Sequence, residues 1–205
     1  RTLGLKNGRV VIDGGSAGAT LVSGEVDVSG RGAGETGGTV TVVGDKVGLV
    51  GAAHINASGD AGGGTVLVGG DVHGTGDRRA NSTFVGAGAR IEANAQTRGD
   101  GGKVVVWADG TTRYFGQINA RGGLLGGNGG FAEVSGRGHL DFLGSVDLSA
   151  PRGAKGMLLL DPSNIEIVAN TADANKTGAA TPDPAPANDL QASDDASTST
   201  PGFQF

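Results

Sequence analysis

The chain contains no cysteine, which removes disulfide frameworks, thiolate nucleophiles and Cys-ligated metals from consideration. Aromatic residues make up only 4 % of it, too few for the usual packed core of an α/β enzyme. Lysine and arginine stand side by side only at Arg78-Arg79, and the formal net charge is −5. A nucleic-acid surface shows a basic stripe, so that partner class is excluded. No apolar run approaches the roughly 18 residues of a membrane-crossing helix, so no membrane insertion is expected. The first residue is Arg1 and no signal peptide precedes it, so we expect a piece of a longer or processed protein.

Glycine is abundant instead, at 42 of 205 residues, against a usual level of about 7 %. The glycines keep no three-residue period, which excludes collagen. They come in pairs that precede strand-like runs. Asn7-Gly8 leads RVVIDG, Gly37-Gly38 leads TVTVVG, and Gly63-Gly64 leads TVLVGG. Gly101-Gly102 leads KVVVWA, Gly129-Gly130 leads FAEVSG, and Lys155-Gly156 leads MLLLDP. The spacing is roughly 26 to 30 residues, with one interval near 38, in the range of solenoid repeats.

A second landmark recurs between these starts. It reads Val26-Asp27-Val28, Ile55-Asn56-Ala57, Ile91-Glu92-Ala93, Ile118-Asn119-Ala120 and Val146-Asp147-Leu148. In the runs after the glycine pairs, Val10/Ile12, Val40/Val42, Val66/Val68, Val104/Val106, Ala132/Val134 and Leu158/Leu160 share one phase. Arg9, Thr39/Thr41, Thr65, Lys103 and Glu133 share the other. Period-two alternation marks strands with one face buried, and no helical period runs for a useful length. The fold class expected is all-β: a right-handed parallel β-helix, or solenoid, of about five to six coils with two or three strands per coil. Coils about 4.8 Å apart make a rod of roughly 25–30 Å. A β-sandwich is the alternative, but it does not require two landmarks repeating in order.

The reading divides the chain into a β-helix over 1–168 and a tail or linker over 169–205. The long interval carries an insertion at about 71–82, read as a loop protruding from the rod. The tail is rich in Ala, Asp, Ser, Thr and Pro, and its terminal Phe203-Gln204-Phe205 is read as an anchor onto an apolar strip.

Residues 99–168 carry the ordered motifs VVVWADGTTRYFG, INARGG, GGNGGFAEVSG, VDLSAPRG and LLLDPSNI. Residues 63–76 and 83–93 continue the pattern upstream. In this order the motifs closely resemble the large exoproteins of bacterial two-partner secretion, the filamentous haemagglutinin and high-molecular-weight adhesin family. The resemblance implies a segment of a β-helical shaft, secreted or held on the bacterial cell surface. It also implies an outer-membrane pore partner through which the chain passes unfolded, and the absence of cysteine suits such a passage. The family's N-terminal secretion domain is not recognised in these residues.

Several local motifs compete with that picture. GGNGGFAEV (126–134) is similar to a calcium-binding nonapeptide, but Phe131 stands where a carboxylate is needed. It also lacks the Lys-Ser/Thr of a phosphate loop. Arg98, Gly99 and Asp100 spell an integrin-recognition tripeptide at a coil boundary, where a structural turn is the plainer reading. Asp77, Arg78 and Arg79 are candidate contacts at the insertion. Asp27, Asn56, Glu92, Asn119 and Asp147 stack at one position, as in polysaccharide-active β-helices, or simply form an outward polar ladder. His54, His73 and His139 have no ligand spacing, so neither a metal nor another cofactor is expected. Asn56, Asn81 and Asn175 head glycosylation sequons. Trp107, Tyr114 and Phe131 are placed on exposed or corner phases, as an aromatic strip for packing against the tail or another rod.

The function expected is structural and non-enzymatic: a stiff rod of a surface adhesin, with an unidentified receptor. A self-assembling extracellular filament is the alternative, and a polysaccharide-active enzyme ranks third.

Overall fold

Each glycine pair starts a coil, and the coils stack in register. The computed structural model describes residues 2–4 and 8–163. A leading strand, β1 (Thr2–Gly4), precedes the first coil. The first coil holds β2 (Arg9–Asp13), β3 (Ala19–Val22) and β4 (Glu25–Asp27). The second holds β5 (Thr39–Val43), β6 (Lys46–Leu49) and β7 (His54–Asn56), and the third β8 (Thr65–Val68), β9 (Ser82–Val85) and β10 (Arg90–Glu92). The fourth holds β11 (Lys103–Ala108), β12 (Thr111–Tyr114) and β13 (Gln117–Asn119). The fifth holds β14 (Phe131–Gly136), β15 (His139–Phe142) and β16 (Ser145–Asp147), after which β17 (Met157–Leu159) opens a sixth.

Three parallel sheets result. One runs β1-β4-β7-β10-β13-β16, the second β17-β14-β11-β8-β5-β2, and the third β15-β12-β9-β6-β3. The described residues contain no α-helix, only a single 3-10 turn, Val72–Gly74. The solenoid, its parallel pairing and its five full coils agree with the sequence reading. Both landmarks lie in register as well. Val10, Val40, Val66, Val104, Ala132 and Leu158 are successive partners in the second sheet. Asp27, Asn56, Glu92, Asn119 and Asp147 are successive partners in the first.

One continuous apolar core fills the solenoid. Val40, Val42, Val66, Val68, Val104 and Val106 supply it from the second sheet, and Ile55, Ile91 and Ile118 from the first. Each such side chain contributes about 1.5–3 kcal/mol on burial. From the second to the fourth coil valine stands over valine, so Val66 packs between Val40 and Val104.

The third sheet is the part that sequence periodicity did not single out. Its inward rows are Thr20, Val47, Thr83, Thr112, Leu140 and Val22, Leu49, Val85, Tyr114, Phe142. The first of these rows is largely threonine, which conceals a buried position behind a polar letter. The hydroxyls are satisfied internally: Thr20 Oγ1 donates to the Val43 carbonyl at 2.7 Å, Thr83 to Trp107 at 2.6 Å and Thr112 to Ser135 at 2.7 Å. Each bond ties one coil to the next at the corner between the second and third sheets. The methyl of threonine fills core space while the hydroxyl pairs a carbonyl at the bend.

Corners tolerate little bulk. A Cβ built on Gly63 lies 1.9 Å from the Ala93 carbonyl oxygen and 2.3 Å from the Gly102 nitrogen, both backbone atoms that cannot yield. Gly51 differs: its φ is +58° but nothing lies within 4 Å of an added Cβ. We therefore expect Gly63→Ala to destabilise the fold by about 3 kcal/mol or more, through backbone overpacking. Gly51→Ala costs about 1 kcal/mol, from the left-handed backbone alone. Urea unfolding midpoints of the two variants test this order.

Candidate functional site

The solenoid departs from its own rule mainly in the third coil. Between Gly69 and Ala80 the chain leaves the wall and returns, and the Ala80 N–H donates to the Gly69 carbonyl at 2.7 Å to close the base. The coil beneath has Val47 where its neighbours have Thr20 and Thr83, so no hydroxyl is offered at this corner.

The excursion does not protrude freely, as its length suggested. It folds down over the outer face of the second sheet. Asp71 Oδ1 accepts from the Val72 N–H at 2.7 Å and from Lys103 Nζ at 3.0 Å. Arg79 Nε donates to Asp109 Oδ2 at 2.9 Å, and its other end reaches the Gly74 carbonyl at 3.3 Å. Beneath lie Val105, Trp107 and Glu133, all buried although they point away from the core. Glu133 therefore does not share the exposed phase of Arg9: its two carboxylate oxygens both accept from the His73 N–H at 3.2 Å. Trp107 is covered rather than exposed, with Gly74 seated on its ring and its indole N–H donating to Asp109 Oδ1 at 3.2 Å. Tyr114 is a core residue. It stacks on Phe142 at 5.2 Å, donates to the Ser145 carbonyl at 3.0 Å, and burial pushes its phenol well above the ordinary value. The expected aromatic strip is thus divided between two interiors, with only Phe131 partly exposed.

Of the residues singled out at the insertion, Arg79 is a clamp, and Arg78 Nε lies 3.6 Å from Asp13 Oδ2. Asp77 is exposed at the tip. In the Arg98-Gly99-Asp100 stretch, the Arg98 and Asp100 side chains are exposed, while the Arg98 N–H donates to the Asp60 carbonyl, the Gly99 N–H to the Gly126 carbonyl, and the Asp100 carbonyl accepts from the Gly63 N–H. Asp100 Oδ1 accepts from the Asn128 N–H at 2.6 Å, and Asn128 Oδ1 in turn accepts from the Ala154 N–H at 3.0 Å. This is a corner ladder that a turn residue serves well. Asn56 of the first sequon is nearly buried in β7, Asn81 is exposed, and Asn175 lies outside the described residues, as do the tail and its Phe203 and Phe205.

The polar row of the first sheet is an outward ladder with local anchors. Asp27, Asn56 and Asp147 each accept from a backbone N–H two residues on, at Ser29, Ser58 and Ser149. His54 sits between Glu25 at 3.7 Å and Glu92 at 3.2 Å. Burial by itself raises the Asp27 carboxyl, but the Ser29 hydrogen bonds with the Arg31 and His54 charges outweigh it and hold it below the ordinary value. Asp147 is lowered in the same way by Ser149 and Arg121. Such anchored carboxylates suit a wall whose like charges are kept apart by intervening amides.

The fold class is therefore a parallel β-solenoid with a folded-down excursion. A crystal structure of the HMW1 secretion domain from Haemophilus influenzae matches it with a TM-score of 0.50 and 27 % sequence identity, over 78 % of this chain and 48 % of that one. The chain spans about half the length of the structure it matches. No family model matches the chain, and no curated protein does. The solenoid and this match fit a β-helical segment of the two-partner-secretion family that the motifs resemble. The sequence reading set the chain apart from the family's secretion domain; the matched structure is such a domain, and this chain covers 48 % of it.

Two outcomes follow. Gly74→Ala, with φ +64° and an added Cβ 2.5 Å from Trp107 Cζ2, is expected to lift the turn. Emission of the single tryptophan then shifts to the red, while the unfolding free energy falls by about 1–2 kcal/mol, less than for Gly63→Ala, because the apolar core is untouched. Separately, the lowered carboxyls of Asp27 and Asp147 stabilise the fold in full above their unfolded value of about 3.9, and this is lost as pH falls below it. Urea midpoints at pH 7 and pH 3 are expected to differ less in an Asp27→Asn, Asp147→Asn variant than in the parent.

Proposed function

We infer that this chain is a structural, non-enzymatic segment of a secreted bacterial exoprotein, forming a stiff rod by which the protein attaches to cells or surfaces. The observation that carries the reading is the unbroken register of three parallel sheets through five coils. Six strands about 4.8 Å apart make an element about 24 Å long, and strands bonded on both sides resist bending. The motif resemblance supplies the secretion route: passage through an outer-membrane pore partner and folding outside the cell. Its location at the cell surface and its role in adhesion rest on that resemblance together with the likeness to the HMW1 secretion domain.

The edges of the described sheets support a second reading. Within the described residues β15 and β16 have no strand beyond them, and exposed parallel edges invite pairing. A filament subunit would grow by that route.

Attachment is tested by coating beads with the chain and counting binding to cultured epithelial cells. The adhesin reading expects saturable binding that soluble chain competes away; beads that bind no better than albumin-coated ones count against it. Light scattering and negative-stain images at high concentration separate the filament reading, which a uniform monomer rejects.

A further inference from the structure

A cleft of about 420 Å³ opens where the excursion meets the residues that follow β17, at the start of the sixth coil. His73, Gly74 and Arg79 form one wall, and Asp161, Pro162 and Ser163 the other. Trp107, Asp109 and Arg137 line the space between them. A volume of this size lies within the range of small-molecule sites.

Its charges are unequal in their engagement. Asp109 is held from two sides, by the Trp107 indole N–H at 3.2 Å and Arg79 Nε at 2.9 Å, so its carboxylate is a fixed acceptor. His73 Nδ1 faces Asp161 Oδ2 at 3.5 Å. His73 is also the one non-glycine residue of positive φ among the described residues, at +53°, a conformation that needs support from its surroundings. Its backbone is pinned by the buried Glu133 behind the wall. Arg137 is exposed, and no carboxylate pairs with it among the described residues. Its backbone is nevertheless fixed, because its carbonyl accepts from the Ser163 hydroxyl and N–H across the cleft. The cleft holds two guanidiniums and two carboxylates, and of the two guanidiniums Arg137 is the one with no carboxylate partner among the described residues.

We propose that this cleft binds an acidic monosaccharide unit, a hexuronate within a glycan. The sugar carboxylate takes the Arg137 fork, whose paired N–H groups match it in a planar, two-point contact. The ring hydroxyls donate to Asp109 and Asp161. A neutral hexose leaves Arg137 unpaired, and a bare inorganic anion leaves the carboxylates facing it without hydroxyl donors. The glycan class is thereby set by having both groups on one ring. This site stands apart from the rod reading, which holds whether or not the cleft is occupied.

The test is NMR titration of the chain with glucuronate, glucose and inorganic sulfate. The single indole N–H resonance, from Trp107 at the cleft floor, is the reporter. We expect glucuronate to shift it saturably with a dissociation constant on the order of 1 mM, and glucose and sulfate to bind at least about tenfold more weakly. Arg137→Gln is expected to weaken glucuronate about tenfold or more without changing the fold, and Arg152→Gln, an exposed arginine elsewhere, to leave it unchanged. The proposal is overturned by an unmoved indole resonance, by glucose or sulfate binding as tightly as glucuronate, or by the two arginine variants behaving alike.

Discussion

Every coil of this protein lies directly on the one before it, residue over residue, and the rest of the structure follows from that register. Parallel ladders run through all three sheets, so any position is repeated above and below at the spacing of one strand. A side chain that fits at one height must fit its own kind at the next. The valine rows of the second sheet and the isoleucine row of the first satisfy this condition with short, branched groups that interlock without gaps. At the corners the same closeness excludes side chains, as the backbone carbonyl facing Gly63 shows.

The register also dictates how polar groups are placed. Inward threonines are allowed because a carbonyl of the adjoining coil lies within reach at the bend. On the outside, five like charges in a column would repel, and the column instead alternates acid and amide from Asp27 to Asp147. Several of these groups turn back onto their own backbone, which holds the column flat and keeps its oxygens occupied. A wall of this kind is stiff and chemically quiet, as a spacer requires.

Individuality enters where the repeat is interrupted. The excursion of the third coil cannot extend the ladder, so it lies across the fourth and fifth coils and creates a second, smaller interior on the outside of the rod. Trp107, Val105 and Glu133 belong to that interior. The carboxylate of Glu133 accepts from the backbone of the turn that covers it, and Arg79 fastens the returning strand to Asp109. The cleft lies at the edge of this layer, where His73 of the excursion faces Asp161.

The amino-acid sequence by itself determined the solenoid, its coil boundaries and two of its three sheets, because stacking forces a repeat that is visible as spacing. It determined the alternation of buried and exposed residues wherever neighbours along the strand decide burial. The third sheet was less legible, since threonine at an inward row satisfies both the core and a corner carbonyl and so does not read as apolar. Local alternation placed Glu133 and Trp107 on the exposed phase, and only the tertiary structure decided otherwise. Their burial comes from residues about 60 and 33 positions away, folded over a face that strand periodicity marks as outward. The cleft beside Arg137 was decided in the same way. Its groups come from four successive coils, and no spacing along the chain predicts that the turn of one coil will rest beside the first strand's end of another.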